Sequence, residues 1–403
     1  MGELFQVALS GPLEGHAEGF AAELARQGYA SSVVVIHVRL LAHVSRWLEA
    51  RGLEAAALDE AAGEEFLAWR RASGRSAKLR LGSLGPLLEY LRGIGAAPVP
   101  GTVPPATPED ALLARYAGYL ATERGLSAKT IARHVMAVRP FLAALDLGGR
   151  PDLGPLTAAG VTDFVVGQSR QRPSTVPQLV TGLRSLLRFL HVDGITAAGL
   201  ADAVPTAAGR KLAGLPKALP AGQVAAMLAS CDQGTALGLR DLAVLTLLSR
   251  LGLRVSEVAG LRLEDIDWHR GEVTVTGKGA RTERLPLPAD VGTAIVAYLQ
   301  GGRPRASHRE VFLCARAPHR GMSRGAVTSV AARAARRAGL GTIHAHALRH
   351  SAATAMLDAG GSLAEIGQVL RHGRALTTAL YAKVDITALR AIALPWPGPE
   401  AAA

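Results

Sequence analysis

The stretch HAHALRHSAATAML, residues 344–357, is the most informative one for the fold of the last third of this chain. Its Ala-, Leu- and Met-rich composition predicts a helix, and a spacing of three places His346 and Arg349 on one face near the N-terminus of that helix. The unbonded N–H groups and the dipole of a helix N-terminus favour an anion. His344 and His350 flank this pair, but no matching cysteine or carboxylate set accompanies them, so we predict no metal.

A second stretch, VLRHGRALTTALYAKV at 369–384, places His372 at the predicted end of a helix and Tyr381 nine residues later. Upstream, SRLGLRVSEVAGLRLEDID puts Arg254 in a predicted turn between two helices, and Glu257 follows it closely enough to support it or to cap the next helix. Each residue alone has an ordinary interpretation, as a turn arginine or a half-buried core tyrosine. Only their combination indicates a shared site.

The segment WHRGEVTVTGKGARTERLPLP, 268–288, alternates apolar and polar residues around glycine-rich turns, which predicts a small antiparallel sheet. Lys278 stands at the tip of its hairpin and is the only lysine between residues 217 and 383. A lysine can release a proton where an arginine cannot, so Lys278 suits a general acid. Helices are predicted on both sides of this sheet, at 221–230, 238–250, 290–300 and 323–339.

Together these residues fit the cleavage of a phosphodiester by a tyrosine. Such cleavage needs positive charge at the non-bridging oxygens, a nucleophile and an acid for the leaving oxygen. The planar fork of arginine suits the first task, because it makes two charge-assisted hydrogen bonds. A tyrosine nucleophile would form a covalent phosphotyrosine that keeps the bond energy, so the strand could be resealed without ATP or a metal.

Four segments of this chain, in their order, resemble the tyrosine site-specific recombinase (phage integrase) family. They are GLRVSEV, TGKGARTERLPLP, HALRH and LRHGRALTTALYAKV. The resemblance is strong over about 218–390 and looser over 108–202, where GLSAKTIARHVMAVRPFL is similar to the family's core-binding helical domain. It implies a mainly α fold with a small antiparallel β-sheet in the C-terminal domain (α+β), in which helical N-terminal domains precede a catalytic domain. It also implies six catalytic residues: Arg254, Lys278, His346, Arg349, His372 and Tyr381.

The resemblance implies that three side chains hold the scissile phosphate and that a fourth supports one of them. Arg254 and Arg349 would clamp it, and Glu257 would support the turn that carries Arg254. His372 would donate a hydrogen bond to the phosphate and buttress the site. One departure lies next to it, because Arg371 stands where the family usually has glycine, and this adds charge near the site.

The resemblance implies that three further residues make and break bonds. Tyr381 would form the 3′-phosphotyrosine, Lys278 would protonate the leaving 5′ hydroxyl, and His346 would assist proton transfer to and from the nucleophile. The apolar residues after Tyr381 resemble family tails that dock onto a neighbouring protomer, with packing in cis as the alternative. They are Leu389, Ile392, Leu394 and Trp396.

Two Pro-rich stretches, GAAPVPGTVPPATPED at 95–110 and AVPTAAGRKLAGLPKALP at 203–220, predict extended linkers. They divide the chain into an additional N-terminal helical domain at 1–96, a linker at 97–107, a core-binding helical DNA-binding domain at 108–202, a linker at 203–217, a catalytic domain at 218–390 and a C-terminal tail at 391–403.

The first two domains look like diverged copies of one four-helix unit. Chance similarity between Ala- and Leu-rich helices is the alternative interpretation. The aligned pairs are Gly28 with Gly125 and His37 with His134 at an offset of 97, residues 65–67 with 163–165 at 98, and 89–91 with 188–190 at 99.

The net charge of +12 is unevenly distributed, which bears on the partner. Residues 1–100 hold 10 basic and 11 acidic side chains, residues 101–216 hold 12 and 8, and residues 217–403 hold 23 and 14. A basic surface is typical of proteins that bind a polyanion. We therefore expect the middle and C-terminal parts to bind nucleic acid.

Basic residues off the apolar helix faces are predicted to contact DNA, although a solvated basic face is the ordinary alternative. In the middle domain they are Lys129, Arg133, Arg139, Arg184 and Arg188. Helix 323–339, with Ser323 as N-cap, is predicted to read the target sequence in the major groove through Arg324, Arg333, Arg336 and Arg337. For 1–96 we expect protein contact or a steadying wrap around DNA through Arg70, Arg71, Arg75, Lys78 and Arg80.

Features of the whole chain predict a cytoplasmic protein. The N-terminus has no basic region followed by an apolar one, no apolar run approaches the length of a membrane helix, and Cys231 and Cys314 make no disulfide framework.

From these observations we predict a site-specific DNA recombinase or integrase without metal or nucleotide cofactor. Its partner would be double-stranded DNA with inverted half-sites, bound by a dimer at each site and a tetramer in the synapse, together with partner recombinases or accessory factors. The alternatives are a relaxing type IB-like topoisomerase and a catalytically silent accessory DNA-binding member of a multi-recombinase set.

Overall fold

A computed structural model describes residues 9–74, 79–99, 107–145, 153, 156–206, 218–277 and 281–371. Over these residues the fold is mainly helical with one three-stranded antiparallel sheet, as the sequence predicted. The chain divides into two compact units, one made of Met1–Val99 with Leu212–Ala403 and the other of Pro100–Lys211. None of the described helices is long and apolar enough to span a membrane.

Four α-helices form the N-terminal segment, and they enclose a core of large side chains. Phe20, Trp47 and Phe66 are almost fully buried in it, and Trp47 meets Phe66 edge to face at 5.7 Å between ring centroids. The helices are α1 Ala17–Arg26, α2 Ser31–Glu49, α3 Glu60–Ala72 and α4 Leu81–Gly93.

The middle unit also has four α-helices, and threonines cap two of them. The Thr107 and Thr157 hydroxyls accept from the backbone N–H groups of Asp110 and Gly160, at 3.1 and 3.2 Å. Ser127 precedes the second helix, but its hydroxyl bonds the Thr130 side chain instead of the backbone. The helices are α5 Pro108–Thr122, α6 Ala128–Ala144, α7 Ala158–Gln171 and α8 Val176–Val192.

Three helix bounds of these two regions repeat at the offsets found in the sequence, although the first helix begins at 17 in one and at 108 in the other, an offset of 91. The second helix begins at 31 in one and at 128 in the other, an offset of 97, and the third begins at 60 and 158, an offset of 98. The fourth ends at 93 and 192, an offset of 99. The duplication remains a prediction, and this correspondence supports it.

The C-terminal segment packs helices around α10 (Ala236–Arg250), whose residues from Ala243 to Ser249 are all buried. In its sheet, β2 (Glu272–Thr276) lies between β1 (Ile266–Asp267) and β3 (Thr282–Pro286), and Val273 pairs with Leu285. The elements are α9 Ala221–Ala229, α10 Ala236–Arg250, α11 Val255–Gly260, β1 Ile266–Asp267, β2 Glu272–Thr276, β3 Thr282–Pro286, α12 Ala289–Gly301, α13 Arg324–Arg337, α14 Ala345–Asp358 and α15 Leu363–Val369.

The N-terminal segment contacts the C-terminal segment through the turn between α1 and α2. His319 donates its backbone N–H to the Gln27 carbonyl at 3.2 Å, and its ring lies against Gly28. Arg320 pairs with Glu89 on α4. A Cβ at Gly28 would lie 2.2 Å from the His319 ring, so this contact requires glycine.

Candidate active site

Arg254 is held at the start of α11 by Glu257. The Glu257 carboxylate accepts from the Arg254 backbone N–H at 2.8 Å and from its Nη1 at 2.6 Å. The Glu257 side chain is 0% exposed. Burial alone would raise the pKa of Glu257, but the backbone N–H of Arg254 and the charges of Arg371 and Arg254 hold it below its ordinary value. The Glu257 carboxylate therefore stays charged and holds one edge of the Arg254 guanidinium.

Arg349 lies on α14 and joins two distant turns. It is only 3% exposed, and its two terminal nitrogens donate to the carbonyls of Gly252 and Leu370. Gly252 has φ +57, and a Cβ there would lie 2.5 Å from the Leu370 side chain, so only glycine fits. Arg349 thus ties the turn before Arg254 to the end of α15.

His346 lies one helical turn before Arg349, at the exposed rim of the same cluster. Its ring packs edge to face on His350, with 4.4 Å between centroids. Partial burial, followed by the charges of Arg349 and Arg254, lowers the pKa of His346, and burial with the neighbouring charges lowers that of His350 to about 4. Because both arginines act on His346, the three side chains form one electrostatic site in which the imidazole is neutral at pH 7.

Lys278, His372 and Tyr381 lie outside the described residues, but the residues just before the first two border the Arg254 cluster. A Cβ at Gly277 would lie 3.7 Å from Glu257 Oε1 and 3.9 Å from Arg254 Nη1. The Arg371 carbonyl accepts from Arg254 Nη2 at 2.5 Å. Lys278 and His372 therefore each directly follow, in the sequence, a residue that borders this cluster.

Arg371 takes part in this cluster in a way that the sequence did not reveal. Its side chain is 4% exposed, and its Nη2 donates to Glu257 Oε2 at 2.8 Å. The backbone at Arg371 has φ 55, the left-handed region that favours glycine. The backbone conformation explains why the family usually has glycine at this position. The only sequence signal for the role of Arg371 was that an arginine replaces this glycine.

The predicted DNA-contact residues of the middle unit differ in how they are engaged. Lys129, Arg133 and Arg188 are exposed. Arg139 is exposed but pairs with Asp110 at 3.1 Å, and Arg184 is half-buried and donates to the Val204 carbonyl at 2.9 Å. All five contacts with DNA remain predictions.

Helix α13 begins as predicted, because the Ser323 hydroxyl accepts from the Ala326 N–H at 3.1 Å. Its four arginines divide into two pairs. Arg333 and Arg337 approach the buried carboxylate of Asp241, at 3.6 and 4.0 Å. The other two, Arg324 and Arg336, are exposed.

The basic residues predicted to act in the N-terminal segment are only partly described. The Arg70 guanidinium lies 5.8 Å from the centroid of the Phe66 ring, and Arg71 and Arg80 are exposed. Arg75 and Lys78 lie outside the described residues, as do the tail residues Leu389, Ile392, Leu394 and Trp396. In the described part of the chain, no group of three or more His, Cys, Asp or Glu side chains is arranged to hold a metal ion.

Comparison with known proteins identifies the class to which this fold and site belong. The model of the phage integrase family matches residues 217–387. The fold is similar to that of XerH site-specific recombinase bound to a palindromic difH substrate, with a TM-score of 0.57 and 15% identity over 71% of this chain and 96% of that one.

Two sequence relatives extend the likeness to most of the chain. The integrase/recombinase named y4rA of Sinorhizobium fredii is 40% identical over 97% of this chain and 97% of its own length. The tyrosine recombinase XerD of Listeria monocytogenes is 31% identical over 68% of this chain and 94% of its own. The chain belongs to the phage integrase family, the tyrosine recombinases, which break and rejoin DNA.

Proposed function

We propose that this chain is a site-specific DNA recombinase that cleaves one strand with Tyr381 and holds it as a 3′-phosphotyrosine. The observation that carries the proposal is the cluster in which Arg254, Glu257 and Arg349 converge beside His346. Two guanidinium groups fixed by hydrogen bonds present positive charge in a restricted geometry. Such a pair suits a phosphodiester, whose non-bridging oxygens gain negative charge in the transition state.

The proposed step transfers the phosphoryl group without net consumption of bond energy. The Tyr381 hydroxyl loses its proton and its oxygen attacks phosphorus, while the bond from phosphorus to the 5′ oxygen breaks. His346, neutral at pH 7 because its pKa is lowered, accepts the tyrosine proton, and Lys278 donates one to the leaving oxygen. His372 donates a hydrogen bond to the phosphate. Rejoining is the reverse of these steps, so ATP is not required.

In the proposal, cationic side chains supply the charge stabilisation that a metal provides in other phosphoryl-transfer enzymes. The clamp of Arg254 and Arg349 would act on the non-bridging oxygens, and Lys278 on the leaving oxygen. A chelator is therefore expected to leave cleavage unchanged.

We further propose that the protein binds inverted half-sites as a dimer, pairs two sites in a tetramer, and acts in the cytoplasm. Solved structures of similar fold include a lambda integrase dimer bound to a core site and a lambda integrase tetramer bound to a Holliday junction, with TM-scores of 0.54 and 0.52. The exposed Lys129, Arg133 and Arg188 of the middle unit would hold the DNA backbone, and α13 would read the bases.

Covalent capture tests the proposal. Nicked duplexes tiled from the DNA that flanks the gene are incubated with the full chain, and protein–DNA adducts are detected after denaturation. We expect an adduct with the wild type and none with Tyr381→Phe, because that variant lacks the attacking oxygen. Tyr119→Phe, which removes a hydroxyl from α5, serves as the matched control and is expected to form the adduct.

The same experiment distinguishes the proposed recombinase from the two alternative functions. Specific binding without any adduct would contradict the proposal and favour an accessory DNA-binding protein. An adduct with relaxation of supercoils but no joining of two duplexes would favour a topoisomerase.

A further inference from the structure

Arg371 is an arginine where the local backbone favours glycine. Its φ of 55 lies in the left-handed region, which is unfavourable for a residue with a Cβ. Its guanidinium is also buried, and within the described part of the chain its Nε has no hydrogen-bond partner. Both features oppose stability, so a contribution to the fold alone does not account for this residue.

The Arg371 guanidinium shares a carboxylate with Arg254. Glu257 Oε1 receives Arg254 Nη1 at 2.6 Å, and Oε2 receives both the Arg254 backbone N–H and Arg371 Nη2 at 2.8 Å. Without Arg371, the buried carboxylate would be neutralised by Arg254 alone, and the pair would carry no net charge. With Arg371, the three side chains carry a net charge of one positive unit.

A second contact joins the same two arginines through the backbone. Arg254 Nη2 donates to the Arg371 carbonyl at 2.5 Å, so the residue that shares the carboxylate also borders the other edge of the Arg254 fork. Any change in the backbone at 371 is therefore transmitted to Arg254.

From these contacts we infer that Arg371 is a positioning residue of the phosphate clamp. By sharing the Glu257 carboxylate with Arg254, it leaves the three side chains with one net positive charge beside the proposed phosphate site, and through its carbonyl it holds one edge of the Arg254 guanidinium. Because the transition state carries more negative charge on the phosphate oxygens than the ground state, the added charge favours the transition state. The inference rests on the proposed function.

The test compares the wild type with Arg371→Gly and Arg371→Lys on the duplex that yields the adduct. Glycine suits the left-handed backbone, so Arg371→Gly removes the side chain without adding strain. We expect Arg371→Gly to slow single-turnover cleavage about tenfold and Arg371→Lys to restore about half of that loss on a logarithmic scale. Arg309→Ala, which removes an exposed arginine paired with Glu264 in the same segment, is the control for net charge and is expected to cleave like the wild type.

A second substrate separates a charge effect from a structural one. The same duplex is made with a methylphosphonate at the cleaved linkage, which removes the negative charge that the clamp recognises. On it, Arg371→Gly is expected to cleave within about twofold of the wild type. Equal loss on both substrates, or no loss on the phosphodiester, would overturn the inference.

A measurement without DNA keeps the two proposals apart. A wild type that forms no adduct on any duplex would count against the proposed function. The coupling of Arg371 with Glu257 would then be read from thermal unfolding of Arg371→Gly, Glu257→Gln and the double variant. We expect the stability change of the double variant to differ from the sum of the two single changes, and additive changes would overturn the inference.

Discussion

Some helix bounds of the N-terminal and middle four-helix regions repeat at offsets of 97 to 99, but the two regions differ in surface charge and in attachment. Residues 1–100 hold 10 basic and 11 acidic side chains, whereas 101–216 hold 12 and 8. The first region belongs to the same compact unit as the C-terminal segment, and the second is a unit of its own. We therefore expect the surface residues, more than the arrangement of helices, to determine what each region binds.

The glycines that follow the first helix show this divergence most directly. Gly28 and Gly125 both have positive φ, +85 and +55, so both end a helix in the left-handed conformation. A Cβ at Gly28 would meet the His319 ring at 2.2 Å, whereas one at Gly125 would meet nothing within 4 Å. The glycine of this turn makes a tertiary contact in the N-terminal region, whereas the space around the corresponding glycine in the middle region is open.

The aligned histidines show how the two cores diverged. His37 packs edge to face on Phe20, with 6.4 Å between centroids. His134 instead lies 3.3 Å from the Tyr116 hydroxyl, which is also 3.3 Å from the Gly182 carbonyl. An aromatic ring from the first helix meets the histidine in both regions, and only the middle one adds a polar contact.

The largest expected difference between the two regions is in DNA affinity. Replacing Lys129 and Arg133 by alanine is expected to weaken binding about thirtyfold and to reduce the slope of log affinity against log salt by about 1.8. The matched change in the N-terminal region, Arg39→Ala with Arg51→Ala, replaces two exposed arginines outside the predicted wrap and is expected to alter neither. Fluorescence anisotropy over a salt series measures both. Equal losses in the two double variants would remove the functional contrast.

The next largest expected effect concerns the contact between the N-terminal segment and the C-terminal segment. Gly28→Ala and Gly125→Ala each place a Cβ at positive φ and are expected to cost about 1 kcal/mol of unfolding free energy. Only Gly28→Ala also displaces the His319 ring, so hydrogen exchange of the His319 amide, which is bonded to Gln27, is expected to accelerate at least about tenfold in that variant. Acceleration of the same amide in Gly125→Ala would show that the contact is not local to Gly28.

A smaller effect tests the polar contact that distinguishes the middle core. Tyr116→Phe makes that core resemble the N-terminal one and is expected to cost about 1 kcal/mol, because the Gly182 carbonyl and His134 lose a partner. Denaturant unfolding of the full chain measures it. Phe20→Tyr is the reciprocal variant, and a gain in stability there would contradict the idea that the two cores have specialised.

The smallest expected effect is the response to pH. Burial lowers the pKa of His37, and burial with the charges of Arg133 and Arg124 lowers that of His134. A histidine whose folded pKa is depressed contributes full stability above its unfolded pKa of about 6.5 and loses it as pH falls toward the folded value. The melting temperature is therefore expected to fall below pH 6.5, and less steeply in His37→Gln and His134→Gln. An unchanged slope in either variant would remove that histidine as the cause.

Local patterns predicted much of this fold. Apolar spacing and the capping residue Ser323 anticipated helices, because these signals lie within a few residues of the element that they define. The order of motifs also led to the proposed site, in which the charges of Arg349 and Arg254 act on His346, and the catalytic roles of these three residues remain predictions. The positions of Lys278, His372 and Tyr381 remain predictions.

Contacts between distant residues could not be predicted from one sequence. Arg371 pairs with Glu257 across 114 positions, and nothing local to either residue indicates the other. The orientation of Arg333 and Arg337 toward Asp241 depends on how α13 packs on α10, which the periodicity of α13 alone does not determine. The seating of Gly28 on His319 likewise arises only when two remote turns meet.

The bonds from Arg349 to Leu370 and from Arg254 to Arg371 have a mechanical consequence. Both end at the root of the segment that carries Tyr381, ten residues further on. Under the proposed mechanism, the residues that bind the phosphate also bind the start of the segment that carries the nucleophile. Displacement of that segment would then weaken phosphate binding as well. A protomer whose nucleophile is out of place would therefore not retain DNA in an incompletely assembled site.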